Sequence, residues 1–104
     1  MRALPFILLA ATALLGASPV AQANEEALNK AGCMACHTKD KKLVGPSFKD
    51  VAAKYKGQDA TAALVQKVRT GGKGVYGPIP MPPNPPEKIN DADLKGGVEW
   101  ILKQ

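Results

Sequence analysis

The sequence predicts an all-α single domain. Three observations predict it. Apolar residues recur at helical spacing in four separate segments, no stretch alternates apolar and polar residues as a half-buried strand would, and 104 residues support one domain at most. No internal repeat is evident. The domain is also short of large apolar side chains: beyond the first 23 residues the aromatics are Phe48, Tyr55, Tyr76 and Trp100. A chain of this size seldom fills a core from its own side chains and usually adds disulfides, a metal or a bound group.

The elements follow in order. Arg2, the apolar run Leu4 to Leu15 and the small-x-small site Ala21-Gln22-Ala23 have the layout of a secretory signal peptide, so residues 1–23 are expected to be cleaved, leaving a domain over 24–104. The alternative is a retained anchor, but the apolar run is short for a membrane span and Pro5 and Pro19 interrupt it. Asn24 is placed to cap a first helix, with Glu25 and Glu26 in its first turn, where the helix dipole favours acids. Ser47 and Asp50 form a capping-box-like pair. After them Phe48, Val51, Ala52 and Tyr55 make an apolar stripe that Gly57 ends. Asp59 is expected to cap a third helix with Leu64, Val65 and Val68 inward, stopped at Gly71-Gly72. Residues 71–89 lose all periodicity and hold six of the nine prolines, which rules out an ordinary helix and predicts a stiff loop. Asn90 and Asp93 cap the last helix, whose stripe is Leu94, Gly97, Val98, Ile101 and Leu102. Gly96 and Gly97 inside it each cost about 1 kcal/mol against alanine, which points to a close crossing, with Gly32 as the expected counterpart.

The net charge is +5 and stays basic when Arg2 leaves with the leader. Nearly all of it is lysine, and Arg69 is the one arginine that remains. Phosphate and base readers rely on arginine forks or aromatic stacking, so nucleic acid is not the expected partner. A mild lysine excess fits loose docking on an acidic protein surface, or solvation alone.

The chemistry sits in Cys33-Met34-Ala35-Cys36-His37. C-x-x-C-H is the haem attachment sequence: each cysteine can form a thioether with one vinyl group on a haem edge, and the histidine that follows falls beneath the iron. A thioredoxin-like pair would want a βαβ setting, zinc would want a fourth ligand, and a plain disulfide leaves His37 without a role. The second axial ligand follows by elimination. His37 is the only histidine. Met1 leaves with the leader and Met34 is trapped inside the attachment loop, which leaves Met81 in Pro80-Met81-Pro82-Pro83. A lysine ligand would first have to lose a proton. Histidine and methionine together raise the reduction potential and close both axial positions, which favours electron transfer over oxygen or peroxide chemistry. A small peroxidase or a gas sensor, the two other classes, would need an open or exchangeable position.

These residues resemble the class I cytochromes c, and most closely the small bacterial cytochrome c-551 type. The resemblance covers nearly all of 24–104 and is carried by Gly32 to His37, Leu43-Val44-Gly45-Pro46, Lys49 to Lys54, Gly74 to Asn84 and Trp100. It implies about four helices wrapped around one covalently bound haem c with its iron, one edge exposed, with the first and last helices crossing. It implies a periplasmic electron carrier rather than an enzyme. The carrier is monomeric and free of the membrane after cleavage, and works between a donor such as a quinol-oxidising complex and an acceptor such as an oxidase or nitrite reductase. It also implies that the Pro46 carbonyl accepts the His37 ring proton, that Asn84 hydrogen-bonds near the Met81 sulfur, and that Lys67 and Tyr76 lie near the haem propionates. Relatives often carry arginine and tryptophan at those last two positions, and Pro85 to Ile89 is longer than usual. Lys30, Lys41, Lys42 and Lys73 are the lysines offered for steering acidic partners to the exposed edge.

Overall fold

The computed structural model describes the backbone of residues 20–104 and the side chains from Asn24 onward. The leader expectation lies outside the described residues, except that Val20–Ala23 are helical backbone. Four α-helices follow one another: α1 over Val20–Lys30, α2 over Phe48–Lys54, α3 over Thr61–Thr70 and α4 over Asp91–Leu102, with a single 3₁₀ turn at Cys33–Ala35. Among the described residues the only β pairing is an isolated antiparallel bridge between Gly72 and Met81. No helix among them is long and apolar enough to cross a membrane.

Helix α4 is the hub, packing against α1, α2 and α3. Its inward residues Leu94 and Val98 are almost wholly buried with Leu28 and Ala31 of α1, Phe48 of α2 and Ile89 of the preceding loop. Phe48 meets Trp100 edge to face, with ring centroids 5.7 Å apart. The expected crossing of α1 and α4 is present, but its counterpart is not Gly32. A Cβ on Gly97 would lie 2.7 Å from Leu28 Cδ2, and one on Gly96 would collide with the Asn24 side-chain amide. Gly32 faces open space and serves the backbone instead: its φ of 81° lets the chain leave α1 and turn into Cys33.

Two of the expected caps form. Ser47 Oγ accepts from the Asp50 amide at 3.1 Å. Asn90 and Asp93 bond reciprocally, with Asp93 N–H on Asn90 Oδ1 at 2.8 Å and Asn90 Nδ2 on Asp93 Oδ2 at 3.0 Å. Two do not. Asn24 lies inside α1, because the helical backbone continues upstream to Val20. Asp59 stays exposed and Ala60 takes the cap position of α3 with no side-chain hydrogen bond. Ala60 is buried and its carbonyl receives the Leu64 amide at 2.9 Å, so packing rather than capping chemistry sets that helix start.

Candidate haem site

Helices α2, α3 and α4 and the loops between them surround an apolar cleft whose empty space, with its open mouth, is about 1240 Å³. Cys33, Cys36, His37 and Met81 all line it, so every residue of the expected attachment and ligand set faces one space. The two cysteines are not joined to each other by a disulfide. Burial pushes the Cys33 thiol above its ordinary pKa, and the nearby Lys88 charge opposes this only in part. Among the described residues no three His, Cys, Asp or Glu side chains converge as a metal cluster.

His37 is oriented by its surroundings. Its amide bonds the Cys33 carbonyl at 3.0 Å, an α-type turn that follows the 3₁₀ turn, and its ring Nδ1 lies 2.8 Å from the Pro46 carbonyl. A carbonyl only accepts, so Nδ1 carries the proton and Nε2 keeps its lone pair for a metal. The ring stacks on Phe48 at 5.4 Å between centroids. Its other neighbour is Gly45, where a Cβ would sit 2.8 Å from Nδ1 and 3.0 Å from Nε2. Only a residue without a side chain lets the Pro46 carbonyl approach the ring in this way. The Gly45 amide in turn bonds the Cys36 carbonyl at 2.7 Å, tying this loop to the attachment motif.

Met81 is held by the bridge to Gly72: its amide bonds the Gly72 carbonyl at 2.8 Å and its carbonyl receives the Gly72 amide at 3.1 Å. Asn84 lies three residues on and is buried. Its Nδ2 donates to the carbonyls of Val68 at 3.1 Å and Pro82 at 3.0 Å. Through these two bonds Asn84 secures the loop to the end of α3. The path of Pro85 to Ile89 is a turn closed by Lys88 N–H on the Pro85 carbonyl at 2.9 Å, which buries Ile89.

Lys67 and Tyr76 both reach the cleft, and the Lys67 side chain lies against Gly72. Lys54 sits over the Tyr76 ring, 5.8 Å from its centroid, and burial followed by the neighbouring Tyr55 and Asp50 raises the Tyr76 pKa. Of the lysines offered for steering, Lys73 borders the cleft, whereas Lys30 is paired with Glu26 at 3.4 Å on α1. Val44, Val75 and Ile79 line the cleft yet remain 48%, 48% and 62% exposed, giving it an apolar rim. Two residues that matter here had no role assigned from sequence, Gly45 and Arg69. For Arg69 the signal was available, since a single arginine in a lysine-rich domain marks a place where a planar fork is needed.

A small helical shell with a hollow apolar centre, two thiols beside a tautomer-fixed imidazole and a thioether on the same cavity defines a protein built to enclose a flat prosthetic group. A family model described as Cytochrome c matches residues 22–104. The chain is 45% identical over 98 residues to cytochrome c-551 of Pseudomonas aeruginosa, covering 93% of this chain and 91% of that protein. It is 48% identical over 94 residues to cytochrome c-552 of Nitrosomonas europaea, covering 89% and 88%. Among solved structures, wild-type cytochrome c552 of Nitrosomonas europaea superposes with a TM-score of 0.70 at 45% identity, over 76% of this chain and 96% of that one. The chain belongs to the cytochrome c family, in its small class I form. It is a monohaem electron carrier with covalently bound haem c, not an enzyme.

Proposed function

We propose that residues 1–23 direct export and are removed, and that residues 24–104 shuttle single electrons in the periplasm between respiratory redox partners, with a quinol-oxidising complex as donor and an oxidase or nitrite reductase as acceptor. In this reading Cys33 and Cys36 would hold the haem through two thioethers, His37 Nε2 and Met81 Sδ would ligate its iron, and Lys67 and Tyr76 would face its propionates. Bound haem supplies the one-electron couple of its iron. The chain does the rest: the Pro46 carbonyl fixes the His37 tautomer, and the Gly72 bridge holds the Met81 backbone. The apolar walls keep water from the cofactor. With His37 and Met81 both supplied by the chain to hold the iron, no outside molecule would need to bind or leave as the charge changes, which favours rapid transfer. Partners dock at the apolar rim of Val44, Val75 and Ile79, beside Lys67 and Lys73, and remain associated only briefly.

The observation that carries this reading is the convergence of Cys33, Cys36, His37 and Met81 on one apolar cleft. Its test is an optical and electrochemical titration of the holoprotein beside Met81→Ala. The variant loses the low-spin, sulfur-ligated spectrum and its potential falls sharply; an unchanged spectrum would place another residue on the iron. Export is tested separately by the mass of protein recovered from the periplasm, which should begin at Asn24. Recovery of the intact chain bound to membranes overturns it. Charge reversal at Lys73 should flatten the salt dependence of electron transfer, and an unaltered dependence removes that lysine from the docking surface.

A further inference from the structure

We propose that Arg69 is the positioning residue for Met81, clamping the proline loop to the end of α3 so that the sulfur cannot drift from its place. The proposal rests on the reading of Met81 as an axial ligand.

Arg69 lies in the last turn of α3 and is nearly buried, its side chain 14% exposed. Its guanidinium is divided among three acceptors that α3 itself does not supply. Nη1 donates to the Asn84 carbonyl at 3.0 Å and to the Ile89 carbonyl at 2.7 Å, and Nη2 to Asp91 Oδ1 at 2.6 Å. The pairing with Asn84 runs both ways, since the Asn84 amide donates to the Val68 and Arg69 carbonyls at 3.1 and 3.2 Å. One side chain therefore joins α3, the two ends of the 84–89 segment and the first turn of α4.

This matters for Met81 because of what lies between. Met81 is fixed at its own backbone by the Gly72 bridge, and Asn84 is fixed by α3. The two residues between them, Pro82 and Pro83, have locked φ angles and no amide to bond elsewhere. Three residues span about 10 Å at most, so two anchors joined by a stiff strut determine where the sulfur sits. The second anchor depends on Arg69. Lysine, with one compact charge, cannot serve two carbonyls and a carboxylate in a plane. Asp91 is the least important of the three acceptors, being 89% exposed.

The test uses holoprotein and added imidazole, which reaches the iron only when the loop opens. Its apparent affinity is its intrinsic affinity scaled by the open fraction. Arg69→Lys and Arg69→Gln should each raise that affinity about tenfold, as expected when buried carbonyls lose a charged donor. Asp91→Asn should change it less than about twofold. In the same samples the amides of Met81 and Asn84 should exchange faster by a matching factor, while those of Leu94 and Val98 do not. A role confined to general stability predicts the opposite: lower denaturation midpoints with imidazole affinity within about twofold of the parent, and that result overturns the proposal. An Asp91→Asn effect as large as that of the Arg69 variants also overturns it, by placing the clamp in the surface ion pair. Should neither Arg69 variant fold, the parent protein still decides, because its Met81 and Asn84 amides must exchange as one unit; independent exchange refutes the clamp. Met81→Ala serves as the control. If it leaves the spectrum unchanged, the ligand assignment fails and takes this proposal with it; if only the Arg69 variants are silent, the clamp alone fails.

Discussion

A methyl group added at Gly45 would land on the His37 ring, within 3.0 Å of both nitrogens, so Gly45→Ala must displace either the imidazole or the loop that carries Pro46. The expected cost is about 1–3 kcal/mol, as for overpacking elsewhere. It should be accompanied by a change in the His37 ring resonances, and a variant with the parent's midpoint and ring shifts would show that the approach is looser than described. Nothing in the sequence marks this glycine as different from the others, because the contact is between residues brought together by the fold. Asp40 is a second residue whose role is visible only in three dimensions. Its carboxylate lies 2.7 Å from Lys49 Nζ, and that hydrogen bond, with the charges of Lys49, Lys39 and Lys41, holds its pKa below the usual carboxylate value, only partly opposed by desolvation. A depressed folded pKa contributes stability above the ordinary carboxylate range and loses it as pH falls through the folded value. Asp40→Asn should therefore shallow the acid limb of the stability curve and leave neutral pH nearly untouched, since both side chains are more than half exposed. Acid unfolding as steep as the parent's would remove the pair from the account.

Adjacent glycines in α4 are expected to respond in opposite directions. Gly97→Ala puts its methyl 2.7 Å from Leu28 Cδ2, a side chain confined in the core, so strain exceeds the roughly 1 kcal/mol of helix propensity gained and the variant is less stable. Gly96→Ala meets the end of the Asn24 side chain, which can swing aside, so propensity wins and the variant is neutral or more stable. Thermal midpoints of the two variants check the contrast; equal shifts would mean that the α1–α4 crossing does not depend on Gly97. At the start of the same helix, Asn90→Ala should cost about 1 kcal/mol by denaturant titration, because a reciprocal cap is lost. Those caps show what was legible beforehand. Ser47–Asp50 and Asn90–Asp93 are local, three residues apart, and their chemistry is the same in any fold. The cap read at Asp59 failed because burial of Ala60 fixed the helix start, and the glycine crossing was rightly expected but wrongly paired, since register between distant helices is set by packing. The attachment motif, the lone histidine and the methionine among prolines were legible because few residues of those types exist in the chain. The commitment of Asn84 to backbone carbonyls was not, because it depends on where the end of α3 lies.

For the molecule as a whole, α2 and α3 each pack on α4 but lie on either side of the apolar cleft rather than against each other, and only a handful of the described side chains are fully buried. A domain of this size with a hollow centre has little reserve of stability. The double variant Cys33→Ala with Cys36→Ala, unable to retain its prosthetic group covalently, should lose most of its helical circular dichroism at ambient temperature; native-like helicity without bound haem would show that the shell stands alone. The packing of α1 against α4 has a further consequence, in time rather than in space. These helices are separated by most of the described chain, and the thiols follow directly on α1, so a polypeptide emerging amino-end first exposes Cys33 and Cys36 long before α4 arrives to cover that side of the shell. The side of Cys33 that packs on the core stays open until Leu94 and Val98 arrive. The two halves of the α1–α4 contact thus become available at opposite ends of synthesis.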